Sequence, residues 1–129
     1  LAIQVSKNIG LTDIVSEINP LSTKHPTSGS TLEIRVWIFN DDPTRTYEDI
    51  TIDPIDATGT DESNWIQLAP DNVSVAGSYG AGGAPLAMPN ITTANSGTPF
   101  WVKTTTPSGQ IVKNKNDIKL AISFTEYAV

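Results

Sequence analysis

Thr31-Leu32-Glu33-Ile34-Arg35-Val36-Trp37-Ile38-Phe39 is the stretch on which the reading of the fold turns. Its side chains alternate in character at every step, and a period of two is the mark of a β-strand. Leu32, Ile34, Val36 and Ile38 fall on one face, which is purely aliphatic and is assigned to a core. Glu33, Arg35, Trp37 and Phe39 share the other face, which starts charged and ends aromatic. The later half of that face is expected to meet a loop, another chain or the edge of the domain. The run stops at Asn40-Asp41-Asp42-Pro43, where Asx side chains bond the local backbone and proline presets φ.

Working outward, Tyr47 to Asp53 forms a second run with Ile50 and Ile52 inward. A hairpin with the first run is the simplest connection. Asp56 to Asn64 reads as a polar loop, and Trp65-Ile66-Gln67-Leu68 as a short strand ended by Ala69-Pro70-Asp71. Asn72-Val73-Ser74-Val75 is a further candidate strand. Ser78 to Pro85, with Gly80, Gly82 and Gly83, reads as a surface loop. Pro99 to Thr104 alternates Phe100 and Val102 against Trp101 and Lys103, and Pro107-Ser108-Gly109 is a turn. The last strand, Ile118 to Tyr127, points Ile118, Leu120, Ile122 and Phe124 one way and Lys119, Ala121, Ser123 and Thr125 the other.

The first thirty residues read less simply. Ile3 to Val5 has strand character, Leu11 to Ile18 mixes the strand and helix periods, and Lys24 to Gly29 is turn-rich. Helix formers never accumulate at helical spacing anywhere in the chain. The expected fold is therefore all-β, an Ig-like antiparallel β-sandwich of about seven or eight strands. Residues 1–30 form an amino-terminal arm or the first strands, and residues 31–129 the sandwich. The expected core is Leu32, Ile34, Val36, Ile38, Ile50, Ile52, Val102, Ile118, Leu120 and Ile122.

The chain has 129 residues and no cysteine, which suits one ordinary domain without disulfides or thiolate metal sites. Eight Lys+Arg stand against 14 Asp+Glu, a formal charge of -6 that disfavours nucleic acid as a partner. No apolar run approaches the roughly 18–20 residues of a membrane helix. The opening Leu1-Ala2-Ile3-Gln4-Val5 lacks the basic head and long apolar run of a signal peptide, and a leucine at position 1 reads as a processed or partial chain.

Catalytic chemistry finds little to work with. His25 is the single histidine, and no Gly-x-Ser-x-Gly elbow accompanies it, so it reads as a loop residue. The carboxylates cluster as Asp41, Asp42, Glu48, Asp49 and as Asp53, Asp56, Asp61, Glu62. Such loop acids can bind calcium, but Asp is also the ordinary residue of turns, and no EF-hand pattern is present. Trp37, Trp65 and Trp101 with Phe39, Phe100 and Tyr79 can be read as a sugar-stacking platform, with core or inter-subunit packing as the favoured reading. The sequons at Asn72 and Asn90 carry little weight in a chain rich in Asn, Ser and Thr. Gly80, Gly82 and Gly83 lack the Lys-Ser/Thr of a phosphate loop. No catalytic residue, cofactor or metal ligand is assigned.

Four segments taken together carry a resemblance. They are Phe39-Asn40-Asp41-Asp42 with Tyr47-Glu48-Asp49-Ile50; Trp65-Ile66-Gln67-Leu68-Ala69-Pro70-Asp71; Pro99-Phe100-Trp101-Val102-Lys103 with Thr106-Pro107; and Lys113-Asn114-Lys115-Asn116-Asp117-Ile118-Lys119-Leu120. Their order resembles Ig-like β-sandwich accessory proteins of tailed bacteriophage virions, over about residues 31 to 125. It is also similar to bacterial and archaeal surface domains of like strand pattern.

The resemblance implies a non-enzymatic structural protein that decorates or stabilises a capsid or tail. The alternatives are an extracellular surface or filament subunit and a carbohydrate-binding module. The expected partners are other virion or surface structural proteins, with homo-oligomers, and neither nucleic acid nor membrane; carbohydrate stays open. The expected location is the virion or, failing that, the cell surface. Contacts are assigned to Ile3, Val5 and Leu11 in the arm and to Trp37, Phe39 and Tyr79. Because no metal is assigned, thermal melts in EDTA and in millimolar calcium are expected to coincide. A calcium-dependent rise of several degrees would show a native-state site, since a ligand bound only by the folded chain stabilises it by mass action.

Overall fold

The computed structural model describes residues 3–15, 21–25, 30–56, 65–91, 97–106 and 113–128. These residues form nine strands: β1 (Ile3–Ser6), β2 (Leu21–His25), β3 (Ser30–Asn40), β4 (Arg45–Asp56), β5 (Ile66–Asn72), β6 (Val75–Ala76), β7 (Leu86–Met88), β8 (Thr98–Thr106) and β9 (Lys113–Ala128). One sheet runs β1-β3-β8-β5-β6 and the other β2-β9-β4-β7, with every pairing antiparallel. The fold is all-β, two antiparallel sheets packed as a sandwich. Eight of the nine strands remain if the two-residue β6 is counted as a return on β5.

The core lies between the inward faces. Val36, Ile38, Phe100 and Val102 from the first sheet and Tyr47, Ile50 and Ile52 from the second are essentially inaccessible. Ile66, Leu68, Met88 and Ile91 join them, as do Ile3 and Val5. Leu120, Ile122 and Phe124 pack against this cluster while staying partly exposed. Phe124 meets Tyr47 edge-on with ring centroids 5.0 Å apart.

The β3–β4 connection is not the expected hairpin. β3 pairs with β1 and β8, β4 with β7 and β9, so residues 41–44 carry the chain from one sheet to the other. The reason is the two apolar rows. Placed in facing sheets, they bury each other across the sandwich. Buried Asn40 fixes the crossing: its Nδ2 donates to the Arg45 carbonyl at 2.9 Å, and its Oδ1 accepts from Asp42 N at 2.8 Å. Asp42 in turn accepts from Thr44 N at 2.8 Å and Thr44 Oγ1 at 2.6 Å. The bond to the Thr44 hydroxyl and then that to its N–H hold the Asp42 pKa below its ordinary value.

A strict period of two leaves Tyr47 outside the inward row, yet it is buried with Ile50 and Ile52. A bulge between Glu48 and Thr51 explains this, with Asp49 at φ 53°, a region Asp tolerates. The extra residue resets the alternation, so Tyr47 shares a face with Ile50.

Three other expectations are corrected. Leu32, assigned to the core, is 37% exposed. β1 pairs with β3 only from Trp37 to Asn40, so nothing described flanks Leu32 on that side. Lys24 and His25, read as loop, belong to β2, paired with Asn114 and Lys113. Asn72 to Val75 is a turn: Val73 and Ser74 have φ of 52° and 69° and return the chain from β5 to β6. The side chains of His25 and Ile118 lie outside the description, as do Ile18, Asp61, Glu62, Thr92 and the Pro107–Gly109 turn.

Core depth varies along β3, and single truncations read it out. Ile38→Ala is expected to cost about 2–5 kcal/mol by chemical denaturation. Leu32→Ala should fall within about 0.5 kcal/mol, the usual range of a surface site. Equal losses at the two positions would contradict the gradient.

Candidate functional site

The outward face of the first sheet gathers the aromatic and charged residues singled out in the sequence. Strand register builds it in rows. Glu33, Lys103 and Gln67 stand side by side on β3, β8 and β5. Arg35, Trp101 and Ala69 form the next row, and Trp37 stands opposite Pro99 in the third.

Asp71, with a side chain only 10% exposed, is the hub. Trp101 Nε1 donates to its Oδ1 at 2.9 Å, and Arg35 Nη2 and Ser74 N donate to Oδ2, each at 3.2 Å. Arg35 Nε also lies 3.0 Å from Oδ1. Burial raises the carboxyl's pKa, but the bonds from Trp101 and Ser74 and the Arg35 charge outweigh it, leaving the pKa below the ordinary 3.8.

The aromatic rings on this face are already engaged. The Arg35 guanidinium sits 5.1 Å from the Trp37 ring centroid, and Lys103 Nζ 4.2 Å from that of Tyr79. Burial, then the Glu33 charge, pushes the Tyr79 phenol up to about 12. A cation therefore already lies over one face of each of these two rings.

The residues assigned to partner contacts divide. Leu11 and Trp37 do come together: both flank Gly97, where an added Cβ would lie 3.1 Å from Leu11 Cδ2 and 3.4 Å from Trp37 Cδ1. Tyr79 sits elsewhere on the same sheet face, against Lys103. Phe39 is 3% exposed, so its place on the non-core face does not leave it free. Ile3 and Val5, expected on an arm, are each 5% exposed within the chain's own core.

The amino-terminal segment is folded back by a side-chain knot rather than extended. Ser6 Oγ donates to Asn8 Oδ1 at 2.7 Å, and that oxygen accepts from Thr12 N and Asp13 N at 3.0 and 3.1 Å. Asn8 Nδ2 donates to Thr12 Oγ1 at 2.8 Å. The loop so formed returns Val15, whose N–H donates to the Val5 carbonyl at 2.9 Å. A single Asn eight residues into the chain does not signal such a knot in sequence; the Ser-x-Asn spacing is its one trace.

A second feature leaves no mark in the sequence. A groove of about 290 Å³ opens between the sheets, lined by Ile3, Gln4, Val5, Ile14, Val15, Leu120 and Ile122. Its lining is mainly aliphatic, and it runs beside the far edge of β9.

Among the described residues, no group of three or more His, Cys, Asp or Glu side chains is placed to hold a metal, and no helix is long and apolar enough to cross a membrane. Asp42 is committed to Thr44, Glu48 accepts from Asn90 Nδ2 at 3.5 Å, and Glu126 accepts from Tyr47 Oη at 2.7 Å. Desolvation first, then Glu126, pushes the Tyr47 phenol up to about 12. No family model, curated protein or solved structure matches the chain.

The Asp71 hub yields a pH test. Because its folded-state pKa is depressed, its stabilisation is present above the unfolded-state value near 3.8 and is lost as pH falls through the folded value. Asp71→Asn should therefore be less stable than the wild type near neutrality, with the gap closing in acid. Denaturation midpoints measured across that range give the answer; a gap independent of pH would mean that the carboxylate charge contributes nothing.

Proposed function

We propose that the protein is a non-enzymatic structural subunit of a particle surface, of the kind that decorates or stabilises a bacteriophage capsid or tail through protein–protein contacts. The observation that carries this reading is the far edge of β9. β2 pairs with it only as far as Ile118, and beyond that point no described residue pairs with it. A strand edge that no described residue pairs with, beside an apolar groove, suits attachment to other protein chains better than it suits chemistry on a small molecule.

Two further points support the reading. With β1, β3, β4, β5, β8 and β9 taken as strands A to F, the order β1-β3-β8-β5 is the A-B-E-D sheet of an Ig-like domain, and β9-β4 its F-C pair. A sandwich of this strand order is a scaffold on which such a surface role can be built. The polar and aromatic groups of the outer face are engaged with one another, as a durable structural part requires.

The test is location. Antibody against the purified chain, applied as gold label to fractions of the producing culture, should mark virus particles. Label on the cell envelope or on filaments would favour the extracellular surface subunit instead. Free protein in the cytosol, with neither structure marked, would overturn both.

A further inference from the structure

Charge is unevenly spread along the chain. Eight Lys+Arg and 14 Asp+Glu are distributed over it, yet residues 72–102, between Asp71 and Lys103, hold none of them. The described residues 72–91 of that run build one side of the sandwich. β6 is the last strand of the first sheet, β7 the last strand of the second, and β7 lies against β5. Between them Gly77 N, Gly80 N and Gly83 N donate to the carbonyls of Pro70, Leu68 and Ile66 at 2.8, 3.1 and 2.8 Å, which holds the connecting loop on the same side.

On this side β5 carries its core-facing row out past the cover of the second sheet. Ile66 and Leu68 are buried, but Pro70 and Asn72, the next two residues of the row, are exposed. Val75 stands opposite Asn72, so it shares that face, and it is 57% exposed. At the turn itself Val73 is 89% exposed. Its φ of 52° is one that a β-branched residue rarely adopts. Such strain persists where contacts outweigh it. The bond from Ser74 N to Asp71 Oδ2 holds the turn, but the Val73 side chain has almost no cover within its own chain.

We propose that this uncharged side, centred on Val73 and Val75, is where two copies of the chain meet. This rests on the reading of the protein as an assembly subunit and names its contact with its own kind. The occupant follows from charge. Copies of a chain of formal charge -6 repel in general, and like charges set opposite each other in an interface oppose binding. Elsewhere the described surface exposes Asp13, Glu33, Asp41, Asp49 and Glu126. The side formed by 72–91 is bordered by two carboxylates, and both are engaged: Asp71 with Arg35 and Trp101, and Glu48 with Asn90 Nδ2 at 3.5 Å. Here two copies approach with apolar side chains foremost and few charges to desolvate, as at the centre of a stable interface. The same patch on both partners closes on two copies.

The experiment uses the isolated full chain, so it is independent of any particle. Light scattering over a concentration series should give a dimer. Added salt should tighten it, because ions screen the repulsion of the remaining charges; a dimer that loosens in salt is held by ion pairs and overturns the proposal. Asn72→Asp, nearly isosteric and at an exposed position, sets a charge on this side and should raise the dissociation constant roughly tenfold. Ala121→Asp adds the same charge at an exposed position on β9 and should leave the constant nearly unchanged. Val73→Asn with Ser74→Gly supplies the residues this turn favours. That variant should melt higher in samples dilute enough to be monomeric, yet dimerise more weakly, which separates a lost contact from a lost fold. Undiminished dimerisation of both this variant and Asn72→Asp overturns the proposal, and so does a wild type that stays monomeric throughout the series. A monomeric wild type that still labels virus particles leaves the function standing and removes the self-contact alone; a dimer that labels none does the reverse.

Discussion

The burial of Val36, Ile38, Phe100 and Val102 against Tyr47, Ile50 and Ile52 governs the route of the chain. Neither row is wide enough to be covered by loops, so the strands that bear them have to lie in opposite layers. That requirement turns the chain out of its first sheet at Asn40 and sets the 41–44 crossing. It also explains why the crossing is stiffened by buried Asn40 rather than left to a flexible loop. An unmet amide there would sit in the core, and each of its two ends has a backbone partner instead. The bulge at Asp49 serves the same end, since without the added residue Tyr47 would point to solvent and its contact with Phe124 would be lost.

Much of this is legible in the residues because burial on one face imposes a period of two. The alternation at 32–38, 50–52, 100–102 and 120–124 locates four strands and most of the core. What is not legible depends on neighbours. Leu32 has the same pattern as Val36, but strand pattern is silent about where an adjacent strand stops. Tyr47 is hidden by a bulge, which breaks the period at the residue that matters. β2 reads as loop because Lys24 and His25 are polar, whereas a strand can be held by its ladder alone. Ile3 and Val5 look like an arm because apolar side chains at the chain's start can serve an internal edge strand as well as a partner.

The outer face shows a related limit. Trp37, Trp101 and Tyr79 draw attention as aromatics on or beside strands, and a list of aromatics cannot tell a ligand platform from a set of rings that are already in use. Register shows which of these rings have a cation beside them. Arg35 stands across from Trp101 and two residues from Trp37, so one guanidinium serves the ring, the hub carboxylate and the row beside it. The stretch of β9 beyond Ile118 that no described residue pairs with is equally invisible, since the sequence of β9 alone reads as an ordinary inward-outward strand.

The short first strand has a mechanical meaning. Ile3 pairs with Asn40 and Ala128 with Arg45, and these two partners are joined by the brief 41–44 crossing. Both described ends of the chain therefore leave the sandwich at one end. A pull exerted between them peels β1 from β3 beginning at Ile3, opening its hydrogen bonds in turn instead of loading them together. The β4–β9 ladder is loaded from Ala128, but it is far longer than the four-pair β1–β3 ladder. The four-residue strand has the shorter ladder and is the first to yield under such a load.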